Sequence, residues 1–290
     1  MDIRVRLIHT PQTAQQAQVL QIWFAQNAAD YHIQLMLEEQ AETPRARELR
    51  KQPELCLIYD EQGLWLAANG MKMQPDWVGQ LPRLYRAGIR NELIARACLA
   101  IPDARIIDAT AGLGHDALLL AWLGARITLV ERHPILAALL MDAKNQAARY
   151  TDERLHQAVS RMTVVFAKSE AYLIDSAMCS ETDVVYLDPM FPKAPTEKKQ
   201  PLVKKEMQIL QHLLSMPVPY ESVIDWGDAL LPLAIQVAKR VVVKRPRLAE
   251  PLAGIEPAHR WLGDACRFDG YFQHRAASES APIPQDDISQ

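Results

Sequence analysis

The stretch Asp188-Pro189-Met190-Phe191 sets an anion, a ring-locked backbone and an aromatic face side by side. Residues of these types in this order can hold a flat aromatic amine. Such an amine is a poor nucleophile, because its lone pair is spread into the ring, until hydrogen-bond acceptors grip its N–H groups. Asp188 and the Pro189 carbonyl are two such acceptors. Proline also stiffens the turn and removes a backbone N–H that would compete with the substrate. Phe191 offers a face on which a base can stack, a contact of about 1 to 3 kcal/mol. Asp188, Pro189 and Phe191 are therefore the candidate catalytic residues. An Asp-Pro pair also ends many strands for purely structural reasons, so the loop takes its meaning from what surrounds it.

A second constellation lies upstream, where Ile106-Ile107-Asp108 runs through Ala109-Thr110-Ala111 into Gly112-Leu113-Gly114, followed by His115-Asp116. An apolar run, a glycine turn and then a helix is the build of a nucleotide-cofactor loop. Gly112 and Gly114 tolerate positive φ and let the backbone approach a ligand, while the helix start behind them offers free N–H groups. The dinucleotide pattern G-x-G-x-x-G is incomplete, with Ala117 in place of the third glycine, and Asp108 puts a carboxylate at the strand end. An acid there suits a cofactor carrying a cationic amino-acid moiety better than one carrying a pyrophosphate. Glu131 ends the next apolar run roughly twenty residues beyond the turn, where Rossmann-like sites hold two ribose hydroxyls. Arg132 can flank an adenine, and Ser169, after the third apolar run, is a candidate to hold the adenine amine. Asp116 reads as an acid that suits a helix N-terminus, and His115 as its neighbour in the turn. The cofactor these features imply is S-adenosyl-L-methionine (AdoMet). Its sulfonium is already an excellent leaving group, so the chemistry calls for neither a metal nor a covalent nucleophile.

These residues need a frame that brings strand ends together. From about residue 92, apolar runs alternate with amphipathic ones, as in a parallel sheet with crossover helices. Strands are expected at 105–109, 126–131, 162–167, 183–188 and 240–244, and helices at about 116–123, 134–148, 202–214 and 227–238. That order predicts a doubly wound, Rossmann-like α/β sheet with ligands at the C-terminal ends of its strands. Residues 1–85 read as a small α+β subdomain, with a hairpin at Asp60-Glu61-Gln62-Gly63 and a breaker-rich exit through Pro75, Gly79 and Pro82. Residues 86–275 form the expected main domain, and 276–290, polar and acidic, an expected disordered tail.

Composition narrows the class. The chain has 290 residues, 49% of them hydrophobic, enough for a real core. The N-terminus has no apolar targeting segment and no run is long enough to span a membrane, so a cytoplasmic protein is expected. Cys56, Cys98, Cys179 and Cys266 lie far apart with no C-x-x-C pair, which disfavours a zinc knuckle or a disulfide framework. A formal charge of −3 argues against a protein that coats nucleic acid indiscriminately. Nucleic-acid contact would have to come from local patches: Lys193, Lys204 and Lys205 after the Asp-Pro loop, and Lys244 and Arg245 at the end of the fifth strand.

Taken together, the segments 108–114, 130–132, 186–192, 202–207 and 239–246 resemble ribosomal RNA small subunit methyltransferase J, over about residues 85–272. The resemblance implies a class I AdoMet-dependent methyltransferase acting on the N2 amine of guanosine 1516 in 16S ribosomal RNA. Carried over by position, it puts cofactor contacts on His115 and Asp116, on Glu131 and Arg132, on Lys168 and Ser169, and on Asp188. Its partner would be 16S ribosomal RNA or the small ribosomal subunit. Two other readings share parts of this pattern. An NAD-dependent oxidoreductase would use the sheet and Glu131 but leave the Asp188 loop idle. A catalytically silent RNA-binding or assembly protein could keep the fold alone.

Overall fold

In the computed structural model, residues 3–175, 181–189, 205–214 and 227–273 are described, the side chains of residues 205–207 and 214 excepted. The chain begins with β1 (Ile3–His9), α1 (Ala14–Asn27), β2 (Ile33–Glu39), α2 (Ala46–Lys51), β3 (Cys56–Asp60), β4 (Gly63–Ala68) and β5 (Met71–Met73). These strands form one sheet in the order β2-β1-β3-β4-β5, with β1 parallel to both its neighbours and β3-β4-β5 antiparallel. The expected hairpin is present, since Asp60 pairs with Gly63 and only Glu61 and Gln62 lie between. Gly63 has φ +113°, a value such a tight turn asks of glycine.

Two short helices, α3 (Leu81–Leu84) and α4 (Leu93–Ala97), lead into the second sheet. It is built from β6 (Arg105–Asp108), α5 (His115–Trp122), β7 (Arg126–Glu131), α6 (Pro134–Arg149), α7 (Glu153–Ser160), β8 (Met162–Phe166), α8 (Ser169–Ile174), β9 (Val184–Leu187), α9 (Lys205–Leu214), α10 (Leu230–Val237), β10 (Arg240–Pro246), β11 (His259–Leu262) and β12 (Cys266–Phe272). The strand order is β11-β12-β10-β9-β6-β7-β8, with β10 through β8 parallel and β11-β12 added antiparallel at one edge. The five expected strands are all present in a Rossmann-like α/β arrangement, to which β11 and β12 are added. The antiparallel pair was not anticipated, and residues 276–290 lie outside the described residues.

Both faces of the second sheet are covered, which is why its central strands read as unbroken apolar runs. Side chains alternate across a strand, so odd and even positions go to different cores. Ile107, Val185, Leu187, Val241 and Val243 meet Leu173 of α8 and Leu230, Leu231 and Ala234 of α10 on one face. Ile106, Val184, Tyr186 and Val242, with Ile127 and Leu129, meet α5 on the other. Continuing that alternation, Asp108, Glu131, Asp188 and Lys244 all fall on the α5 side, at the C-terminal end of the sheet. The alternation alone therefore gathers four charged residues from four strands.

The two sheets have distinct apolar cores that share one helix. Helix α6 lies between them, giving Ile135, Leu136, Ala138 and Leu139 to the first sheet and Leu140, Ala143 and Ala147 to the second. Asp142 of the same helix accepts hydrogen bonds from the Tyr59 hydroxyl and the Leu64 backbone N–H, tying the β3–β4 hairpin to it. No helix among the described residues is long and apolar enough to cross a membrane.

Candidate active site

The glycine turn leaves β6 at Asp108 and is pinned on several sides. Ala109 N–H donates to the Tyr186 carbonyl of β9, and Thr110 N–H donates to Asp108 Oδ1 at 3.1 Å. Gly112 N–H donates to Glu131 Oε2 at 3.0 Å, bringing the end of β7 against the turn. The two glycines differ in purpose. Among the described residues, a Cβ on Gly112 (φ +54°) would have only the Thr110 carbonyl within 4 Å, at 3.8 Å, so its open side can face a ligand. A Cβ on Gly114 (φ +69°) would come within 2.9 Å of both Leu140 and Trp77. Gly114 thus serves the packing of α5 against the core, and the expectation of ligand approach narrows to Gly112. Trp77, from the segment before α3, also donates its indole N–H to the Leu113 carbonyl at 3.0 Å. No local pattern around Trp77 marks it for this role.

Glu131 is buried, and its Oε1 accepts the His133 N–H at 2.8 Å. Each carboxylate oxygen has a second lone pair, so ribose hydroxyls can still be accepted. Burial raises its pKa, and the backbone N–H groups of His133 and Gly112 oppose the rise. His133 caps α6, with Nδ1 accepting from Ile135 N–H, and burial depresses its pKa to about 4. The ring is neutral at physiological pH. Ser169 is buried at the start of α8 and donates its hydroxyl to the Ala109 carbonyl at 2.6 Å, linking the end of β8 to the glycine turn. Lys168 beside it is exposed, and Arg132 is half-buried.

Asp188 follows the last residue of β9. Its backbone N–H donates to Thr110 Oγ1 at 2.6 Å, which fastens the Asp-Pro loop directly to the glycine turn. Pro189 is buried, and Gly227 (φ +88°) passes so closely over it that a Cβ there would lie 2.8 Å from the Pro189 Cβ. Phe191, Lys193 and Lys204 lie outside the described residues, as does the side chain of Lys205.

The feature that sequence reasoning missed is a bridge across the strand ends. Lys244 Nζ lies 2.9 Å from Asp188 Oδ2 and 2.8 Å from Asp116 Oδ2. The Tyr186 hydroxyl also donates to Asp116 Oδ2, at 2.7 Å. Lys244 was expected to take an RNA phosphate; instead its ammonium is committed to two carboxylates. Arg245, also expected at the RNA, is 9% exposed, and its guanidinium donates to the Glu250 carbonyl. The alternation of β10 explains both, since neighbouring residues face opposite sides. His115 opens α5, and Asp116, next to it, is drawn toward β9 and β10 by the bridge.

The electrostatics follow from placing one buried aspartate, Asp108, and two half-buried ones, Asp116 and Asp188, around one half-buried lysine. Burial pushes the Asp108 pKa up to about 8; the Thr110 N–H opposes this and Asp116, Asp188 and Glu131 reinforce it. Burial also raises Asp188, with Lys244 pulling the other way. For Asp116 burial is outweighed by Lys244, and the carboxyl stays below the usual range. Burial would lower Lys244, but Asp116 and Asp188 outweigh it and hold the ammonium charged. Asp108 has no cation partner among the described residues, only the Thr110 N–H. A buried carboxyl in that state fits a ligand that brings its own positive charge. An open glycine, an acid spanning the turn and an uncompensated aspartate together fit AdoMet. No cluster of three or more His, Cys, Asp or Glu able to hold a metal occurs among the described residues.

A Rossmann-like sheet with this turn and these acids at successive strand ends defines an AdoMet-dependent methyltransferase. The comparisons agree: the family described as "Putative SAM-dependent methyltransferase" matches residues 42–273. Ribosomal RNA small subunit methyltransferase J of Acinetobacter baumannii (strain AYE) is 57% identical over 79% of this chain and 81% of its own length. The protein of that name from Acinetobacter baylyi is 52% identical over 81% and 86%. A crystal structure of a SAM-dependent methyltransferase from Neisseria gonorrhoeae superposes with a TM-score of 0.64 at 26% identity, covering 94% of this chain and 97% of that one. The chain belongs to the family of ribosomal RNA small subunit methyltransferase J.

Proposed function

We propose that the protein methylates the exocyclic N2 amine of a guanosine in 16S ribosomal RNA, guanosine 1516 by its family resemblance. The observation that carries this reading is the state of Asp188. Its Oδ2 is engaged by Lys244, its Oδ1 has no hydrogen bond among the described residues, and its backbone is fastened to the glycine turn. An acceptor with one free oxygen beside the cofactor loop suits an amine that must be oriented toward a methyl donor.

In this reading Asp108 faces the cofactor's ammonium, Gly112 allows its close approach, and Glu131 accepts the ribose hydroxyls. Arg132 and Ser169 flank the adenine, with Lys168, His115 and Asp116 at the rim. Asp188 Oδ1 and the Pro189 carbonyl grip the two amine hydrogens, which aims the nitrogen lone pair, and Phe191 stacks on the base. When bound, AdoMet would supply an electrophilic methyl carbon for the nitrogen lone pair, with its sulfur as the leaving group. Asp188 Oδ1 is then placed to take the proton that the nitrogen must shed. Holding the reactants in this geometry lowers the entropic part of the barrier. A guanine inside a helix would first have to leave its stack. Lys193, Lys204 and Lys205 would meet the RNA backbone.

The deciding experiment is radiolabelled AdoMet with small-subunit RNA or particles, followed by mass spectrometry of the modified nucleotide. N2-methylguanosine is the expected product. Absence of transfer to either substrate would leave the silent-protein reading.

The pH dependence of cofactor binding checks the Asp108 assignment separately. The carboxyl titrates at about 8 in the free protein and is mostly protonated at pH 7. An ammonium beside it lowers that pKa, so binding expels a proton and affinity rises as pH increases toward 8. The gain is up to about tenfold per unit below that point. Calorimetry at pH 7 in buffers of different ionisation heat should report a proton released; no proton release would remove Asp108 from the cofactor.

A further inference from the structure

The bridge between β10 and the Asp-Pro loop deepens the proposed reading and rests on it. We propose that Lys244 is a positioning residue for methyl transfer, which by filling Oδ2 of Asp188 presents Oδ1 to the substrate amine. Three observations support this. Lys244 is itself held: Asp116 Oδ2 takes its ammonium at 2.8 Å and also takes the Tyr186 hydroxyl at 2.7 Å. Tyr186 is buried at 1% exposure in the second sheet's core, so the chain Tyr186–Asp116–Lys244–Asp188 ends on a rigid foot. Finally, β10 and β9 run parallel with Val243 opposite Leu187, so Lys244 and Asp188 are the next pair along and meet with no loop between them.

The consequence is a carboxylate with its rotation stopped. An aspartate at a strand end can otherwise turn either oxygen toward the substrate or rest protonated, and a protonated oxygen would offer a donor to an amine that needs an acceptor. Lys244 holds one oxygen in place and opposes the protonation that burial favours. The groups facing Asp188 are Asp108 on β6, Asp116 on α5, Tyr186 on β9, Lys244 on β10 and Cys266 on β12, with Arg83 at the end of α3 facing Asp116. Of these, only Lys244 is a cation in direct contact with Asp188.

Lys244→Met removes the cation and keeps most of the side-chain volume. The single-turnover rate at saturating RNA and AdoMet should fall about a hundredfold, and the acid limb of its pH profile should move to higher pH. Lys244→Arg should recover most of the rate and return the limb toward its original place. Asp116→Asn leaves Lys244 with Asp188 as its sole anion, so the limb should move the opposite way, to lower pH. The same shifts should appear without cofactor or RNA, in the titration of the carbon-13-labelled Asp188 carboxyl by NMR, identified by its loss in Asp188→Asn. A structural role alone would lower the melting temperature of Lys244→Met while leaving the rate per folded molecule and the Asp188 midpoint unchanged; that result overturns the proposal. If the wild-type protein transfers no methyl to RNA, the substrate reading fails. The NMR titration still decides whether Lys244 sets the state of Asp188.

Discussion

Asp188→Asn is expected to lower methyl transfer by about a thousandfold while leaving the AdoMet Kd within about threefold of wild type. The substitution preserves shape and changes only what the two side-chain atoms can offer. Lys244 needs an acceptor at 2.9 Å, so the carboxamide must turn its oxygen toward the ammonium. Its NH2 then takes the place of Oδ1 and meets the substrate amine donor to donor. The backbone bond from residue 188 to Thr110 is untouched, so the glycine turn and the cofactor beside it keep their places. Wild-type turnover in this variant would remove Asp188 from the reaction. A large loss of AdoMet affinity with unchanged turnover would instead recast it as a cofactor contact.

Glu131→Gln is expected to weaken AdoMet by about 2 to 3 kcal/mol, roughly 30- to 150-fold in Kd, with a much smaller change in the rate at saturation. The glutamine retains one acceptor oxygen but must choose between Gly112 and His133, whose N–H groups now occupy the two carboxylate oxygens. Glu131→Ala should be worse for the fold, because both N–H groups lose their partner at about 1 to 3 kcal/mol each when buried. Comparing the two by calorimetry and thermal melting separates ribose binding from loop support. An AdoMet Kd unchanged in Glu131→Gln would mean the acid only braces the turn.

How much was legible beforehand depends on whether a signal was local. The β-α alternation of the second half, the glycine turn and the acids at strand ends are each written within ten or so neighbouring residues, and each is found where the pattern puts it. Strand β12 was missed for a physical reason: it buries Arg267 and Asp269 as a paired ion at 2.8 Å, so its inward face reads as polar. In β2, Ile33 and Leu35 are buried while Gln34 and Met36 face out, a short alternation easily taken for loop. The bridge from Lys244 joins residues far apart in the chain, and no spacing rule announces it. Strand parity would have found part of it. Counting alternate residues from Val242 and Tyr186 puts Lys244 and Asp188 on one face, whereas a basic run read as a block sends Lys244 and Arg245 together to the RNA.

The contact of Trp77 with the back of Gly114, together with the grip of Asp142 on the β3–β4 hairpin, makes the N-terminal third part of the cofactor loop's foundation. Contacts therefore cross the expected line near residue 85. A C-terminal portion cut free there would lose the wall against which its own glycine turn is moulded.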